Sequence, residues 1–232
     1  MLIGPQNLTL HVNHVRSRIR SAAIAAGRDP NSVILVAVTK AKPAESVRLA
    51  ASAGVTDFGE NYLQEALPKM DQLADLNLQW HFIGGIQSNK TRAIAERFHW
   101  VQSVDRPSIA RRLSEHRPFH APPLNVCIQV ALVPEPTKGG VAPEALAELA
   151  AAIDPLPRLR LRGLMCVPPP QADAAAERRV FARLQAALTD LNARGHKLDT
   201  LSMGMSGDFE SAIAEGATLV RIGTALFGSR QT

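Results

Sequence analysis

The chain alternates between short apolar segments typical of buried strands and longer segments with the periodicity of amphipathic helices. Residues 7–26 carry apolar side chains at three- and four-residue spacing, which predicts a leading helix. Residues 33–38 (VILVAV) are rich in β-branched side chains and contain no polar residue, as expected of a strand buried on both faces. A helical segment at 43–53 follows, and this strand–helix pair then recurs along the chain. The alternation predicts parallel strands joined by right-handed crossovers.

Eight strands follow from this pattern. They are residues 33–38, 55–60, 78–84, 99–104, 124–132, 161–167, 198–203 and 217–223, and the helices between them are 43–53, 62–76, 88–97, 107–116, 143–153, 172–194 and 209–215. The series predicts an α/β protein, a single (β/α)8 TIM-type barrel with an extra N-terminal helix, occupying residues 1–232 as one domain. A doubly wound open sheet is the alternative. Its first strand is usually followed by a glycine-rich turn, whereas TKAKP (39–43) has no glycine.

Composition narrows the functional classes. The chain has 26 basic and 21 acidic residues, a net charge of +5, and only one Tyr, two Trp and seven Phe for stacking on bases, which argues against specific nucleic-acid binding. No apolar run approaches the roughly 18 residues of a membrane span, and the first residues lack the pattern of a secretory signal. Cys127 and Cys166 lie in apolar runs and predict buried, reduced thiols. We therefore expect a cytoplasmic protein that does not bind membranes.

Two glycine-rich loops stand at predicted strand ends, where barrels of this class place their chemistry. SMGMSGD (202–208) follows strand seven and precedes a helix, and RIGTA (221–225) ends strand eight. Backbone N–H groups at glycines, helix N-termini and hydroxyl groups together form anion sites, and loops after strands seven and eight often bind phosphate. The alternative is that these glycines only make tight turns. Two such loops in adjacent positions favour a phosphate site.

Lys40 directly follows VILVAVT (33–39), the first strand and the threonine after it, and is therefore expected at the barrel mouth. A lysine against an apolar wall has its charged form disfavoured, which makes the amine nucleophilic and suited to a Schiff base. The alternative is a surface lysine or one in a salt bridge. A phosphate site across the same mouth favours the Schiff base, since pyridoxal 5′-phosphate (PLP) carries both an aldehyde and a phosphate.

Arg221 lies on the last predicted strand, two residues before Gly223. It is either a buried ion-pair partner or a donor that faces a ligand ring nitrogen. A guanidinium is permanently charged, so it would keep a pyridine nitrogen unprotonated. An unprotonated ring is a poor electron sink, which would damp carbanion chemistry.

Six segments, in order, resemble the pyridoxal phosphate homeostasis proteins, also called proline synthase co-transcribed proteins. They are AVTKAKP (37–43), FGENYLQE (58–65), WHFIGGIQSNK (80–90), GLMCVPPP (163–170), LSMGMSGDFESAI (201–213) and VRIGTALFG (220–228). The resemblance covers nearly the whole chain and implies a PLP-binding barrel related to the N-terminal barrel of alanine racemase. Two positions depart from the family pattern: Ile86 stands where Leu is expected, and no Asn is present near Ala131.

The resemblance also implies roles for individual residues. Lys40 would form the Schiff base and Arg221 would face the pyridine nitrogen. The phosphate would be held by Ser206, Gly207, Gly223 and Thr224, and the ring would be lined by Asn61, His81, Ser202 and Met203. His81 stands between Trp80 and Phe82, so a core histidine is an equal interpretation. Lys138 is a weaker candidate for a second amine near the cofactor.

The residues favour a non-catalytic role for the expected site. A racemase of this barrel type needs acid–base groups on both faces of the substrate Cα, and in alanine racemase one is a tyrosine from a second domain. The only tyrosine here is Tyr62, expected at the rim, and no second domain is expected. We therefore expect a monomeric PLP carrier that protects the cofactor and passes it to apo-enzymes. The alternatives are a weak racemase-like PLP enzyme and a barrel enzyme acting on a phosphorylated sugar.

Overall fold

The computed structural model describes residues 4–133 and 139–228, and in them eight parallel strands close into a barrel in sequential order. The strands are β1 (Ile34–Val38), β2 (Asp57–Glu60), β3 (Gln79–Phe82), β4 (Trp100–Val104), β5 (Leu124–Gln129), β6 (Leu159–Met165), β7 (Thr200–Ser202) and β8 (Leu219–Ile222). The ring closes where β1 pairs with β8, with Val36 opposite Arg221. The predicted barrel is confirmed.

Nine helices surround the barrel within the described ranges. They are α1 (Pro5–Ala25), α2 (Ala44–Ser52), α3 (Leu63–Gln72), α4 (Thr91–Arg97), α5 (Pro107–His116), α6 (Leu146–Ile153), α7 (Ala174–Ala193), α8 (Phe209–Ala214) and α9 (Thr224–Phe227). Single 3₁₀ turns precede α4 and α6. No helix in this part of the chain is both long and apolar enough to cross a bilayer.

The extra N-terminal helix is present and packs beside the last strand–helix units. Leu8, Val12, Val15 and Ile19 on one face of α1 are buried. The helix lies against α8 and α9, where His11 Nδ1 is 2.9 Å from the carbonyl oxygen of Leu226. Thus α1 supports the helices that follow β7 and β8.

Most element boundaries are shifted by one or two residues from the sequence prediction, and three differences are larger. Strand β5 ends at Gln129 rather than at residue 132, and beyond it Val130 makes a single bridge with Val141. Helix α3 ends at Gln72, four residues before the predicted end. Residues 224–227, expected as part of a tail, form α9. Lys138 lies outside the described residues.

Side chains alternate along each strand between the barrel interior and the helices. Most of the apolar core lies between barrel and helices. A smaller cluster contains Val36, Trp100, Cys127, Met165 and Leu219, one residue from each of five strands. The remaining interior positions include polar residues, among them Gln102 and Arg221, which follow Trp100 and Leu219 by two residues.

Both cysteines are free and buried, as the sequence predicts. Burial raises the pKa of each thiol to about 12, because the thiolate would lose its hydration. Neither thiol is therefore a nucleophile at neutral pH.

Candidate functional site

The two glycine-rich loops lie side by side at the carboxyl end of the barrel. The chain after β7 continues alongside β8, because Met203 N donates to Leu219 O and Arg221 N donates to Gly204 O. Farther along, Ala225 N donates to Ser206 Oγ over 3.2 Å. This bond joins the loop after β7 to the first turn of α9. The polar groups of the two glycine-rich loops therefore lie around one site.

Two glycines of the loop after β7 have different roles: Gly204 is required by the backbone conformation, and Gly207 leaves open space beside the loop. Gly204 has φ +94°, and a Cβ on it would lie 2.7 Å from Ala212 Cβ. A Cβ on Gly207 would meet no atom within 4 Å. Within the described residues, the backbone N–H groups of Ser206, Gly207 and Thr224 donate to no protein acceptor. These donors and the space at Gly207 form a cradle of the kind that binds phosphate.

Lys40 lies next to this cradle because β1 stands between β8 and β2. Val38 pairs with Gly59 of β2 on one side. On the other side, a Cβ on Gly223 would lie 3.6 Å from Val38. Lys40 follows β1 by two residues and is half-buried. The fold therefore brings the lysine and the cradle to one edge of the mouth.

A buried ionic cluster lies beneath the end of β1. Lys69 Nζ donates to Thr39 O over 2.7 Å and to Glu60 Oε1 over 2.6 Å. Burial raises the pKa of the Glu60 carboxyl, and Lys69 and Thr39 act in the opposite direction. The sequence places Glu60 at a strand end, but it does not single out Lys69, whose position inside α3 resembles any helix lysine.

Arg221 is buried in the barrel interior, with 4% of its surface exposed. Its Nη1 donates to Ser202 Oγ over 2.5 Å and its Nη2 donates to Cys166 O over 2.7 Å. Burial lowers its pKa, and Asp208 opposes that shift at longer range. No carboxylate forms an ion pair with Arg221 in the described part of the chain, so the ion-pair interpretation does not describe this arginine.

His81 and Ser202 are fully buried in one hydrogen-bonded chain. His81 Nε2 lies 2.9 Å from Asp57 Oδ1, and its Nδ1 lies 2.9 Å from Gln102 Nε2. Ser202 Oγ donates to Gln102 Oε1 over 2.6 Å. Burial lowers the pKa of His81 despite the nearby Asp57 carboxylate. The histidine is thus fully satisfied in the core, and sequence reasoning did not single out Gln102, the one amide within WVQSV.

Met203 and Asn61, the other two residues expected to line the ring, lie in different environments. Met203 is fully buried in the core between barrel and helices. Asn61 is half-buried at the mouth, and its Oδ1 is buried without a hydrogen-bond partner among the described residues. Asn61 lines a cavity of about 260 Å³ together with Tyr62, Gln87 and Lys90. Tyr62 is 54% exposed at the start of α3, at the rim as expected.

Potential metal ligands are not clustered in the part of the chain that the structure describes. Across residues 4–133 and 139–228, no three His, Cys, Asp or Glu side chains come together as a metal site would require. The donor set at the mouth, with backbone N–H groups, hydroxyls, a lysine and an arginine, is suited to an anionic organic ligand.

Comparisons with known proteins find relatives over nearly the whole chain. The family model for the alanine racemase N-terminal domain matches residues 10–231. The pyridoxal phosphate homeostasis protein of Pseudomonas aeruginosa is 63% identical over 220 residues, which are 95% of this chain and 94% of that protein. The protein of the same name from Escherichia coli K12 is 48% identical over 219 residues, which are 93% and 94% of the two chains.

Solved structures share the fold. PipY of Synechococcus elongatus, solved with PLP bound, has a TM-score of 0.84 and 36% identity, with 95% of this chain and 100% of that chain covered. An alanine racemase from Clostridium difficile has a TM-score of 0.75 at 15% identity, covering 98% of this chain and 58% of that one, which shows the barrel fold alone. On these identities, which extend over nearly the full length of both chains, the chain belongs to the pyridoxal phosphate homeostasis protein family.

Proposed function

We propose that this chain binds PLP at the mouth of its single barrel domain and acts as a cytoplasmic carrier of the cofactor. It binds PLP reversibly through a Schiff base with Lys40, protects the aldehyde, and supplies the cofactor to apo-enzymes. The observation that carries the proposal is the bond from Ala225 N to Ser206 Oγ. It joins the two glycine-rich loops into one phosphate cradle beside β1, the strand that Lys40 follows by two residues.

The residues present suit the groups of PLP. Ser206, Gly207, Gly223 and Thr224 offer hydroxyl and backbone donors for a phosphate. Lys40 offers the amine that condenses with the aldehyde and releases water. The homologous PipY was solved with PLP bound, which supports the assignment of this mouth as a PLP site.

Arg221 favours a carrier over a catalyst. Bound PLP supplies an aromatic ring that can withdraw electrons from a conjugated imine. Each Arg221 Nη carries two N–H groups, and one on each is used by Ser202 or Cys166. The remaining N–H groups are available to a ring nitrogen, and a guanidinium does not release a proton to it. The ring then stays a weak electron sink, so amino acids gain little activation at Cα.

A weak racemase-like activity is the second candidate, supported by the shared fold with alanine racemase. Racemisation requires a second acid–base group opposite the lysine. Tyr62 is the only tyrosine, and it is 54% exposed at the rim of the barrel. Incubation of loaded protein with an amino acid in deuterium oxide separates the two candidates. A carrier incorporates almost no deuterium at Cα, whereas sustained incorporation supports the enzyme.

The cofactor site is tested by the visible spectrum of the purified protein, followed by borohydride reduction and peptide mapping. We expect a yellow band and a reduced adduct on Lys40, both lost in Lys40→Ala. Lys42→Ala is the matched control, because Lys42 lies two residues away and donates to Phe227 O over 3.1 Å. A wild-type protein that remains colourless and unmodified with added PLP would overturn the proposal and favour another phosphorylated ligand.

Delivery is tested separately. Loaded protein is mixed with a PLP-dependent apo-enzyme in the presence of a phosphatase that destroys free PLP. Recovery of enzyme activity under these conditions supports protected transfer. If recovery is no faster than with the same amount of free PLP, the carrier role is contradicted even where binding holds. Sedimentation of the loaded protein tests the expected monomer.

A further inference from the structure

Five polar side chains form a continuous hydrogen-bonded chain through the barrel. The order is Asp57, His81, Gln102, Ser202 and Arg221, on β2, β3, β4, β7 and β8. The four links measure 2.9, 2.9, 2.6 and 2.5 Å. Asp57 is the first residue of β2, whereas Arg221 is the third of the four residues of β8. This series of hydrogen bonds thus runs from the amino end of the barrel towards the mouth.

The donors and acceptors fix the direction of donation along this series of hydrogen bonds. Arg221 can only donate, so Ser202 Oγ accepts from it and sends its own hydrogen to Gln102 Oε1. The Gln102 amide nitrogen then faces His81 Nδ1, which must be unprotonated to accept. His81 Nε2–H therefore donates to Asp57. Trp100 stacks on the imidazole with ring centroids 5.5 Å apart and an interplanar angle of 8°, which restrains the orientation of the ring.

We propose that Gln102 is a positioning residue for the Arg221 guanidinium, acting through Ser202 and held in its amide orientation by neutral His81 and Asp57. By taking the Ser202 hydrogen, Gln102 turns the lone pairs of Ser202 Oγ towards Arg221 Nη1. With Nη2 fixed on Cys166 O, both ends of the guanidinium fork are anchored. The consequence for PLP rests on the proposed function: the free N–H groups of Arg221 are aimed at the ring nitrogen before the cofactor arrives.

The proposal is tested first without cofactor. Three variants are compared with wild type: Gln102→Leu, which removes both polar ends, Gln102→Glu, which keeps an acceptor for Ser202, and Cys127→Ala as a control in the barrel interior. Nitrogen-15 NMR reports the protonation of His81 and the rotation rate of the Arg221 guanidinium. Wild type and the control should show neutral His81 with its proton on Nε2 and a slowly rotating guanidinium.

The two Gln102 variants should differ in guanidinium rotation and in His81 protonation. In Gln102→Leu, the guanidinium should rotate about tenfold faster or more, since an anchored charge-assisted hydrogen bond is weakened. In Gln102→Glu, rotation should stay slow, and His81 should gain a second proton to face the new carboxylate. A general loss of packing does not produce this pair of results. Unchanged rotation in Gln102→Leu, or wild-type His81 protonated on Nδ1, would overturn the proposal.

The loaded protein supplies a second readout. PLP labelled with nitrogen-15 in the ring should give the same ring-nitrogen shift in wild type, Cys127→Ala and Gln102→Glu, and a displaced shift in Gln102→Leu. An equal shift in Gln102→Leu contradicts the positioning role. If wild type takes up no PLP, the proposed function fails, and the cofactor-free measurements still decide the role of Gln102.

Discussion

The Lys69 ammonium donates to Glu60 Oε1 over 2.6 Å, with 8% of the lysine side chain and none of the glutamate side chain exposed. The same ammonium donates to Thr39 O, and Thr39 Oγ1 donates to the same carboxylate oxygen over 2.6 Å. This cluster ties the ends of β1 and β2 to α3, one residue before Lys40. The cluster therefore holds the backbone next to Lys40, the proposed Schiff-base residue, in place.

Lys69→Met should lower the free energy of unfolding by about 3 kcal/mol at neutral pH, because a buried carboxylate loses its charged partner. Burial already raises the Glu60 pKa, and removal of Lys69 should raise it further. The folded protein then binds a proton more tightly than the unfolded chain does. The loss of stability should therefore be largest at neutral pH and shrink as the pH falls through the raised pKa.

Urea unfolding at several pH values measures this effect. Arg48→Met is the matched control, since Arg48 pairs with Asp75 on the surface and both side chains are largely exposed. The control should change stability little at any pH. A loss in Lys69→Met that is equally large at acidic and neutral pH would contradict the assignment of an unpaired buried carboxylate.

Alanine at Gly204 and at Gly207 should have opposite consequences. Gly204→Ala should lower the free energy of unfolding by about 2 kcal/mol, because φ is +94° and the new Cβ would lie 2.7 Å from Ala212 Cβ. Gly207→Ala should leave stability nearly unchanged, since its Cβ meets open space. If that space holds the phosphate, Gly207→Ala should still weaken PLP binding. Thermal unfolding and PLP titration of both variants test the pair, and tight binding by stable Gly207→Ala would place the phosphate elsewhere.

The native thiols should resist alkylation. Cys127 and Cys166 are buried with pKa values raised to about 12, so iodoacetamide at neutral pH should label both only after denaturation. Ala186→Cys adds an exposed thiol on α7 and is the control for reagent quality. The added thiol should be modified promptly in the folded protein. Comparable labelling of either native thiol without denaturant would show that the barrel opens more readily than its packing implies.

Arg117 should be more sensitive to lysine substitution than a surface arginine. Arg117 is 6% exposed, and its guanidinium donates to the carbonyl oxygens of Ala95, Phe98 and Pro122. Lysine lacks the planar fork that reaches all three, so Arg117→Lys should lower the free energy of unfolding by about 2 kcal/mol. Arg112→Lys on the exposed side of α5 is the matched control. Equal urea midpoints for the two variants would contradict this account.

The barrel was predictable because its signal is local. Residues 33–38 are apolar without a polar interruption, and residues 7–26 have helical spacing, so each element could be recognised from its own segment. The ends of elements were less predictable. Strand β5 ends at Gln129 although the apolar run continues to Leu132. Val130 N still donates to Met165 O of β6, but Val130 also bridges to Val141, and the next residue, Ala131, donates its N–H to Val141 O.

The candidate site was predictable only in part. Lys40 and the loops 202–208 and 221–225 are visible because each combines a strand end with a residue type of distinctive chemistry. Gln102 was missed because a single amide in a strand carries no such signal. Its role depends on facing His81 from one neighbouring strand and Ser202 from across the barrel.

The amino-acid sequence by itself determined the order of strands and helices, the buried thiols, and the residues that carry the family resemblance. These depend on composition and spacing within short segments. Only the tertiary structure decided which polar groups meet: Lys69 with Glu60, Ser206 with Ala225, and Arg221 with Ser202. Such pairs are 9 to 19 residues apart along the chain, and their distances are set by the closure and register of the barrel, to which all eight strands contribute.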